Sequence, residues 1–432
     1  MNIERKYYLD KLIAKKENGL IKVITGIRRC GKSYLLFEIY KNYLLSIGVK
    51  EKYIIGLPLD EVANSKYRNP FELDKYIRQQ LLEKDKMYYV FIDEIQKVTS
   101  IQNPYIEGED AKIGFADVLL GLMKIKNVDL YVTGSNSKML SSDILTEFRD
   151  RGDEIRVNPL TYKEFYSAFE GEKRFAWKEF YTYGGMPLVL SKKTHEEKSK
   201  YLKDLFQKTY IKDVIEHNDI KNDTDVLEDL LNIVSSSIGS LTNPAKLSNT
   251  FQSTKQTSIT ASTISKYLDY FIDAFVIYKA QRYDIKGKKY MTTPLKYYFT
   301  DVGLRNARLN FRQQEENHIM ENIIFNELMA RGYDVDVGVV ECNSKNKEGQ
   351  SQRTQLEVDF VVNRSSKRYY IQSALTILDE EKRKQETNSL TRISDSFKKI
   401  VVVKDDIVPW YDDDGIFYIG IEQFLLDDSV MD

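Results

Sequence analysis

Gly26-Ile27-Arg28-Arg29-Cys30-Gly31-Lys32-Ser33 is a complete G-x-x-x-x-G-K-S run, and its reading decides the fold. The residues before it, Leu20 to Thr25, form an apolar run rich in β-branched side chains and fit a buried parallel strand. Those after it, Tyr34 to Tyr43, carry Leu35, Leu36, Ile39 and Tyr40 at helical spacing. Strand, glycine loop and helix, in that order, are the context in which this motif cradles phosphate. The glycines let the backbone turn tightly, so that consecutive N–H groups and the helix N-terminus point at one anionic oxygen cluster. Lys32 is then expected to reach the β- and γ-phosphates and the Ser33 hydroxyl to bind Mg²⁺. The expected nucleotide contacts are Gly26, Arg28, Arg29, Cys30, Gly31, Lys32, Ser33 and Tyr34. A glycine-rich structural turn is the alternative; the Lys-Ser pair in register and the two flanks weigh against it.

Working outward, Met87-Tyr88-Tyr89-Val90-Phe91-Ile92-Asp93-Glu94 is an apolar strand that ends in two carboxylates. Doubly wound sheets place ligands at the carboxyl ends of their strands. In a P-loop enzyme Asp93 would hold Mg²⁺ through water and Glu94 would orient or deprotonate the attacking water. Such a pair alone is usually a solvated turn; downstream of a full phosphate cradle it reads as functional. A third strand, Val128 to Thr133, runs into Gly134-Ser135-Asn136-Ser137, where Asn136 is the candidate amide that senses the γ-phosphate or positions water. Runs at Lys52–Leu59 and Phe71–Leu82 supply a further strand and helix, so the alternation predicts a parallel α/β sheet. Arg149 and Arg151 precede a last strand in FRDRGDEIRVNPL. Either could stabilise charge on a transferring phosphoryl group of a neighbouring subunit, or form surface ion pairs with Asp150, Asp153 and Glu154.

The order of GIRRCGKS, YVFIDEIQ, VTGSNS and FRDRGDEIRVNPLTYKEF, followed by YGGMP at Tyr183–Pro187, resembles the prokaryotic AAA+ superfamily P-loop ATPases that carry a C-terminal PD-(D/E)xK nuclease-like domain of uncharacterised function. The likeness spans essentially the whole chain. It implies ATP as the nucleotide, Lys32 and Ser33 on nucleotide and Mg²⁺, Asp93 and Glu94 as the Walker B pair, Asn136 as first sensor, and Arg151 as the arginine before the Pro-Leu turn. It also places the Gly184-Gly185-Met186-Pro187 turn near the nucleotide, whereas the residues themselves read as a tight turn between helices.

The bulk properties set limits. At 432 residues, a prior of about 150 residues per domain suggests three or so. The 64 Lys and Arg balance 65 Asp and Glu, so global charge argues neither for nor against nucleic acid. Two cysteines, Cys30 and Cys342, make no disulfide framework and suit a reducing compartment. The charged start, with Glu4, Arg5, Lys6 and Asp10, lacks the apolar core of a signal peptide, and no apolar stretch approaches the roughly 20 residues that span a bilayer. A cytoplasmic protein with no membrane partner is expected.

The expected organisation is a P-loop AAA+ core at 1–162, a helical lid or linker at 163–224, a winged helix at 225–310 and a degenerate restriction-nuclease-like α/β domain at 311–432. The winged helix is read from three helices, Asp225–Ile238, Ala245–Phe251 and Ser258–Ala274, followed by a two-stranded ribbon. Its turn carries Lys279, Arg282, Lys286, Lys288 and Lys289 against one acid, Asp284, beside the Ser/Thr-rich helix start Thr260–Lys266. That is a surface for DNA phosphates, or a solvated hairpin on a protein-binding module. Glu315–Arg331 reads as a helix, Asn343–Arg353 as a polar linker, and 356–362, 368–375 and 399–403 as strands. Helix residue Glu321 and strand residue Asp359 resemble nuclease ligands, but Gln372 stands at the second acidic position and Ala374 at the lysine position. Without that cation and carboxylate, cleavage is not expected, and Glu321 with Asp359 is what a residual metal site would have. His195, His217 and His318 are isolated and fit no zinc spacing.

The expected activity is Mg²⁺-dependent ATP hydrolysis coupled to DNA binding or remodelling, with a homo-oligomer possible through an arginine finger in trans. The rivals are a nucleotide-gated switch with little turnover and an ATP-regulated, metal-dependent nuclease.

Overall fold

The computed structural model describes residues 3–106, 111–134, 151–218, 220, 224–255, 258–312, 315–345, 351–377 and 379–431. The chain divides into two units, Met1–Asn158 with Asp273–Phe275, and Pro159–Ile272 with Val276–Asp432.

The first unit is built on five parallel strands: β1 (Ile21–Thr25), β2 (Ile54–Pro58), β3 (Tyr88–Asp93), β4 (Val128–Thr133) and β5 (Gly152–Arg156). They lie in the order β2-β3-β4-β1-β5. Every residue of β1 and β3 is buried, because helices cover both faces of a parallel sheet. On one face Val23, Leu57, Val90, Ile92 and Val132 pack with Leu73 and Ile77 of helix Pro70–Gln80 and with Leu119 and Leu122 of helix Phe115–Leu122. Each such fully buried side chain contributes about 1.5–3 kcal/mol. Asn69 starts the first of these helices by accepting the Phe71 N–H at 3.0 Å, with Pro70 in the first turn where a missing N–H costs nothing. On the other face Tyr40 and Phe37 meet Phe91 and Tyr131. They project from a helix that starts at Lys32 and passes through a π-helical stretch, Leu35–Tyr40, into Lys41–Ser46.

Lys22 and Asp129 interrupt this apolar interior. Both are buried and paired; Lys22 Nζ also donates to the Leu20 carbonyl at 2.9 Å, and the Tyr131 hydroxyl donates to Asp129 at 2.7 Å. Burial pulls the Lys22 ammonium below its ordinary pKa, against the opposing pull of Asp129.

The second unit begins with helices, among them Tyr162–Ala168, Ala176–Tyr183, His195–Leu205, Thr224–Ser236, Pro244–Lys255 and Ala261–Asp273. Thr242, between two of them, bridges Leu295 in antiparallel fashion. One eight-stranded sheet follows: β6 (Ile277–Asp284), β7 (Lys289–Phe299), β8 (Asp334–Lys345), β9 (Ser351–Arg364), β10 (Lys367–Ala374), β11 (Lys398–Val403), β12 (Trp410–Tyr411) and β13 (Ile416–Gly420). Its order is β12-β13-β11-β10-β9-β8-β6-β7. The hairpin β6–β7 belongs to this sheet because β6 runs parallel to β8, Arg282 facing Val337. The boundary expected at 310/311 therefore runs through a single sheet. The expected polar linker 343–353 differs too: Asn343–Lys345 and Ser351–Arg353 continue the β8–β9 ladder, whose outer end escapes notice in sequence because it is polar.

The Gly184-Gly185 turn is fixed inside this second unit. Asp301 accepts the Gly185 N–H at 2.6 Å and the Leu304 N–H at 2.9 Å, capping helix Val302–Arg308. Gly303 is required there, since a Cβ would sit 1.9 Å from the Tyr183 carbonyl oxygen. Burial raises the Asp301 carboxyl to about 6 against the pull of those backbone donors. Among the described residues no helix is long and apolar enough to cross a membrane.

Candidate functional site

β1 ends at Thr25 and the chain turns at once into the glycine loop. Gly26 takes φ +133 and Gly31 φ +101, and Arg29 is left-handed at φ +65. At Gly26 a Cβ would lie 2.1 Å from the Val157 carbonyl oxygen, so only glycine allows the loop to close onto the chain that follows β5. Lys32 is buried, and its ammonium curls back onto the loop, donating to the Gly26 carbonyl at 2.8 Å and the Ile27 carbonyl at 3.1 Å. Among the described residues it meets no carboxylate. A buried cation held only by neutral carbonyls, at a helix N-terminus inside a positive-φ loop, suits a phosphate chain. Ser33 and Tyr34 are exposed at the helix start and Arg28 is half-buried beside Arg29, which is exposed. Cys30 differs from the others: its side chain is fully buried and its thiol donates to the Val157 carbonyl at 3.3 Å, so only its backbone faces the loop.

The second half of the site lies at the same edge of the sheet. In the register of the parallel strands, Ile24 faces Thr133 on β4, and Ile92 faces Val132, so Thr25, Thr133 and Asp93 end their strands at one level. Asp93 is buried and accepts from the Thr133 hydroxyl. Glu94 adopts a left-handed backbone, φ 55, and its N–H donates to Thr133 Oγ1 at 3.1 Å. Its carboxylate accepts from the Gln96 side-chain amide. Asp93 and Ser33 are an oxygen donor set of the hard kind Mg²⁺ takes, and both belong to elements that end at this edge.

Sequence reasoning missed three residues here. Thr133 sat unmarked at the end of an apolar strand, although a threonine directly before Gly-Ser-Asn was a signal of strand-end chemistry. Gln96 was unmarked as well. Arg5, in a charged segment with no motif, is buried; its Nη1 donates to the Cys30 carbonyl at 3.0 Å and its Nη2 to the Asn158 carbonyl at 2.7 Å. Tyr8 accompanies it, with the Arg5 guanidinium 4.6 Å from the ring centroid and its hydroxyl accepting the Asn158 N–H at 3.0 Å. The loop is thus pinned from behind by the N-terminal helix Lys6–Ala14 and the residue before it.

Asn136 and Arg149 lie outside the described residues. Arg151 is exposed just before β5, and its carbonyl accepts the Ile21 N–H at 3.0 Å. It therefore stands at the N-terminal edge of the sheet. Five strand residues at about 3.3 Å each put it roughly 16 Å from the edge that carries Gly26 and Asp93.

In the second unit, Glu321 and Asp359, expected from the sequence as a residual metal site, have other partners. The Lys296 ammonium on β7 bonds Glu321 at 2.8 Å and Glu357 at 2.7 Å, and the Tyr298 hydroxyl donates to Glu321 at 2.6 Å. Asp359 accepts the Ser373 N–H at 2.8 Å, and Gln372 accepts the Asp359 N–H at 3.3 Å. Burial, then the charge of Glu321, holds the Asp359 carboxyl well above the usual range despite Lys296. Burial lowers the Lys296 pKa, but Glu321, Asp359 and Glu357 outweigh it and leave the ammonium above its ordinary value. Among the described residues no group of three or more His, Cys, Asp and Glu is arranged to hold a metal ion. Of the basic residues expected on the ribbon, Arg282 is buried and donates to Gln355 at 3.1 Å, while Lys279, Lys286, Lys288 and Lys289 are exposed.

Residues 18–166 match the AAA domain family. Residues 174–315 match a domain of unknown function, DUF8612. The chain is 32% identical over 432 residues to an uncharacterized protein of Haemophilus influenzae, covering 98% of each. It is 28% identical over 368 residues to an uncharacterized protein of Methanocaldococcus jannaschii, covering 82% of this chain and 73% of that one. Among solved structures it resembles the Walker-type ATPase of Pyrococcus abyssi at 14% identity and a TM-score of 0.47, covering 71% of this chain and 96% of that one.

Proposed function

Because the chain belongs to the same family as the Haemophilus influenzae protein and matches the AAA domain over 18–166, we propose that it is an Mg²⁺-dependent ATPase whose cycle acts on DNA through its second unit. The observation that carries this reading is the buried Lys32 ammonium, held by the carbonyls of Gly26 and Ile27, at the sheet edge where Asp93 and Glu94 also end their strand. In the bound state Lys32 swings from those carbonyls to the β- and γ-phosphates, and the loop N–H groups take the remaining oxygens. Asp93 and Ser33 would hold Mg²⁺, which would supply neutralisation of charge on the transferred phosphoryl group. Glu94 orients and deprotonates water, and Asn136 fixes the same water or the γ-phosphate. Arg151 is too far from its own loop to take part, so a role for it requires a second copy of the chain.

DNA enters through the second unit. Helices 224–236, 244–255 and 261–273, the Thr242–Leu295 bridge and the hairpin β6–β7 follow one another in winged-helix order. The nuclease-like sheet serves as scaffold, since Lys296 neutralises Glu321 and Glu357 where a nuclease would bind metal.

A steady-state phosphate-release assay tests the proposal. Lys32→Ala abolishes ATP binding, Glu94→Gln spares binding and stops turnover, and duplex DNA stimulates the parent. Hydrolysis by Glu94→Gln at the parental rate removes the base assignment. The hydrogen bond from Gln96 to the Glu94 carboxylate favours a second reading, a nucleotide-gated switch with slow turnover, because it occupies the group that must take the proton. Turnover that stays negligible with and without DNA, together with intact ATP binding, selects the switch.

A further inference from the structure

We infer that the second unit carries a phosphodiester-binding cleft made jointly by the β6–β7 turn, the outer end of the β8–β9 hairpin and Arg392 after helix Glu380–Thr391. This deepens the DNA reading above and rests on it. The cleft encloses about 590 Å³ and is lined by Asp284, Lys286, Gly287, Lys289, Glu341, Cys342, Arg353 and Arg392, so among the described residues four cations face two carboxylates.

Both carboxylates have partners within the wall. Asp284 accepts the Gly287 N–H at 2.9 Å and shapes the turn, and Glu341 is bonded by Arg353. The cations are less committed. Lys286 donates to the neutral Glu341 carbonyl at 3.2 Å and Arg392 to the neutral Asn388 side chain at 2.9 Å. The Arg353 side chain is 73% exposed even with its ion pair. Positive charge thus exceeds negative charge around an open cavity, and the excess sits on long, exposed side chains. Contacts to a nucleic-acid backbone have this form, because phosphate neutralisation needs charge and reach and no base reading.

A free phosphate is a poorer fit. It would want converging main-chain N–H groups, as in the Gly26–Ser33 loop, whereas the Gly287 N–H is already taken by Asp284. The four cations come from three elements of the sheet and its covering helix, as a strand passing along the cleft requires. The parallel pairing of β6 with β8 makes this possible: it carries Asp284 opposite Val339, next to Glu341 and Cys342. Wing and nuclease-like sheet form one continuous surface for the same partner.

The test uses the full chain and a fluorescein-labelled 30-mer duplex of scrambled sequence, with anisotropy read across a salt series. Lys289→Glu with Arg392→Glu is expected to weaken binding about tenfold or more and to lower the slope of log K against log salt by about 2. Lys200→Glu, an exposed cation of the second unit outside both the ribbon and the cleft, is expected to leave both within about twofold. Basal ATP turnover and the thermal melt are expected to stay parental in all variants. Parental duplex affinity in the double variant overturns the cleft while leaving the DNA reading intact. No binding by the parent chain overturns both. Displacement of the duplex by inorganic tripolyphosphate or by polyglutamate at matched charge, with the same sensitivity to Lys289→Glu and Arg392→Glu, overturns the phosphodiester assignment in favour of a small anion or an acidic peptide.

Discussion

Thr133 and Glu94 are joined between neighbouring strands: Thr133 Oγ1 accepts the Glu94 N–H at 3.1 Å while its own proton goes to Asp93. One hydroxyl thus sets the left-handed bend that aims Glu94 and orients the carboxylate beside it. Thr133→Val keeps the shape and removes both bonds. The expected result is a fall in kcat of up to roughly 10²-fold with little change in KM for ATP, since misplacing a catalytic group costs rate more than ground-state binding. A change in KM alone would show that Thr133 serves nucleotide binding instead.

Arg5 holds the phosphate loop from behind through the Cys30 and Asn158 carbonyls. Arg5→Met leaves the buried Cys30 carbonyl without this donor, at about 1–3 kcal/mol, and the half-buried Asn158 carbonyl at less. Faster amide exchange at 26–33 and weaker ATP binding are expected, with the second unit's amides unchanged. Parental exchange in the loop would mean that Arg5 does not support it.

Arg151 stands at the far edge of the sheet from its own Gly26. Mixing Lys32→Ala with Arg151→Ala subunits is therefore expected to restore part of the turnover that each lacks alone, because one kind of subunit supplies the intact loop and the other the arginine. A mixture as inactive as its components counts against a shared site.

Lys296 pairs with the buried carboxylate of Glu321 and with the partly exposed carboxylate of Glu357. Lys296→Met leaves those charges uncompensated and is expected to cost about 3–5 kcal/mol in urea unfolding at pH 7. The loss should shrink as pH falls and Asp359, whose carboxyl is held above the usual range by burial and then by the charge of Glu321, takes up a proton. A pH-independent loss would place the effect in packing.

Asp301 gives stability a definite dependence on pH. Its folded pKa of about 6 exceeds the ordinary 3.8, so the folded state binds more protons between pH 4 and 6 and this group's contribution falls as pH rises through that window. The shift corresponds to about 3 kcal/mol. Comparing urea unfolding of the parent and Asp301→Asn across pH 4 to 7 should show the parent losing relative stability up to about pH 6 and none beyond. An equal dependence in both proteins refutes the assignment.

The sequence by itself determined what is local. The spacing Gly26, Gly31, Lys32, Ser33 pointed to a tight glycine loop between an apolar strand and a helix, and Gly26 and Gly31 do take positive φ there, since such a turn depends on its own backbone geometry. The run 88–94 named a buried strand ending in acids, since wholly apolar strands belong to parallel sheets covered on both faces. Helices such as Glu316–Ala330 were legible from their apolar residues. Only the tertiary structure decided what depends on partners far along the chain. Thr133 and Arg5 acquire their roles because β4 lies between β1 and β3 and the N-terminal helix lies behind the loop. The outer ladder of β8 and β9 carries polar side chains on a paired backbone, so hydropathy alone made it a linker. Lys296 and Arg282 looked like ordinary basic residues until pairing of β6 with β8 buried them, and Lys289 and Arg392, separated by a hundred residues, share a cleft for the same reason. Periodicity records whether a face is buried; it carries no record of which distant strand buries it.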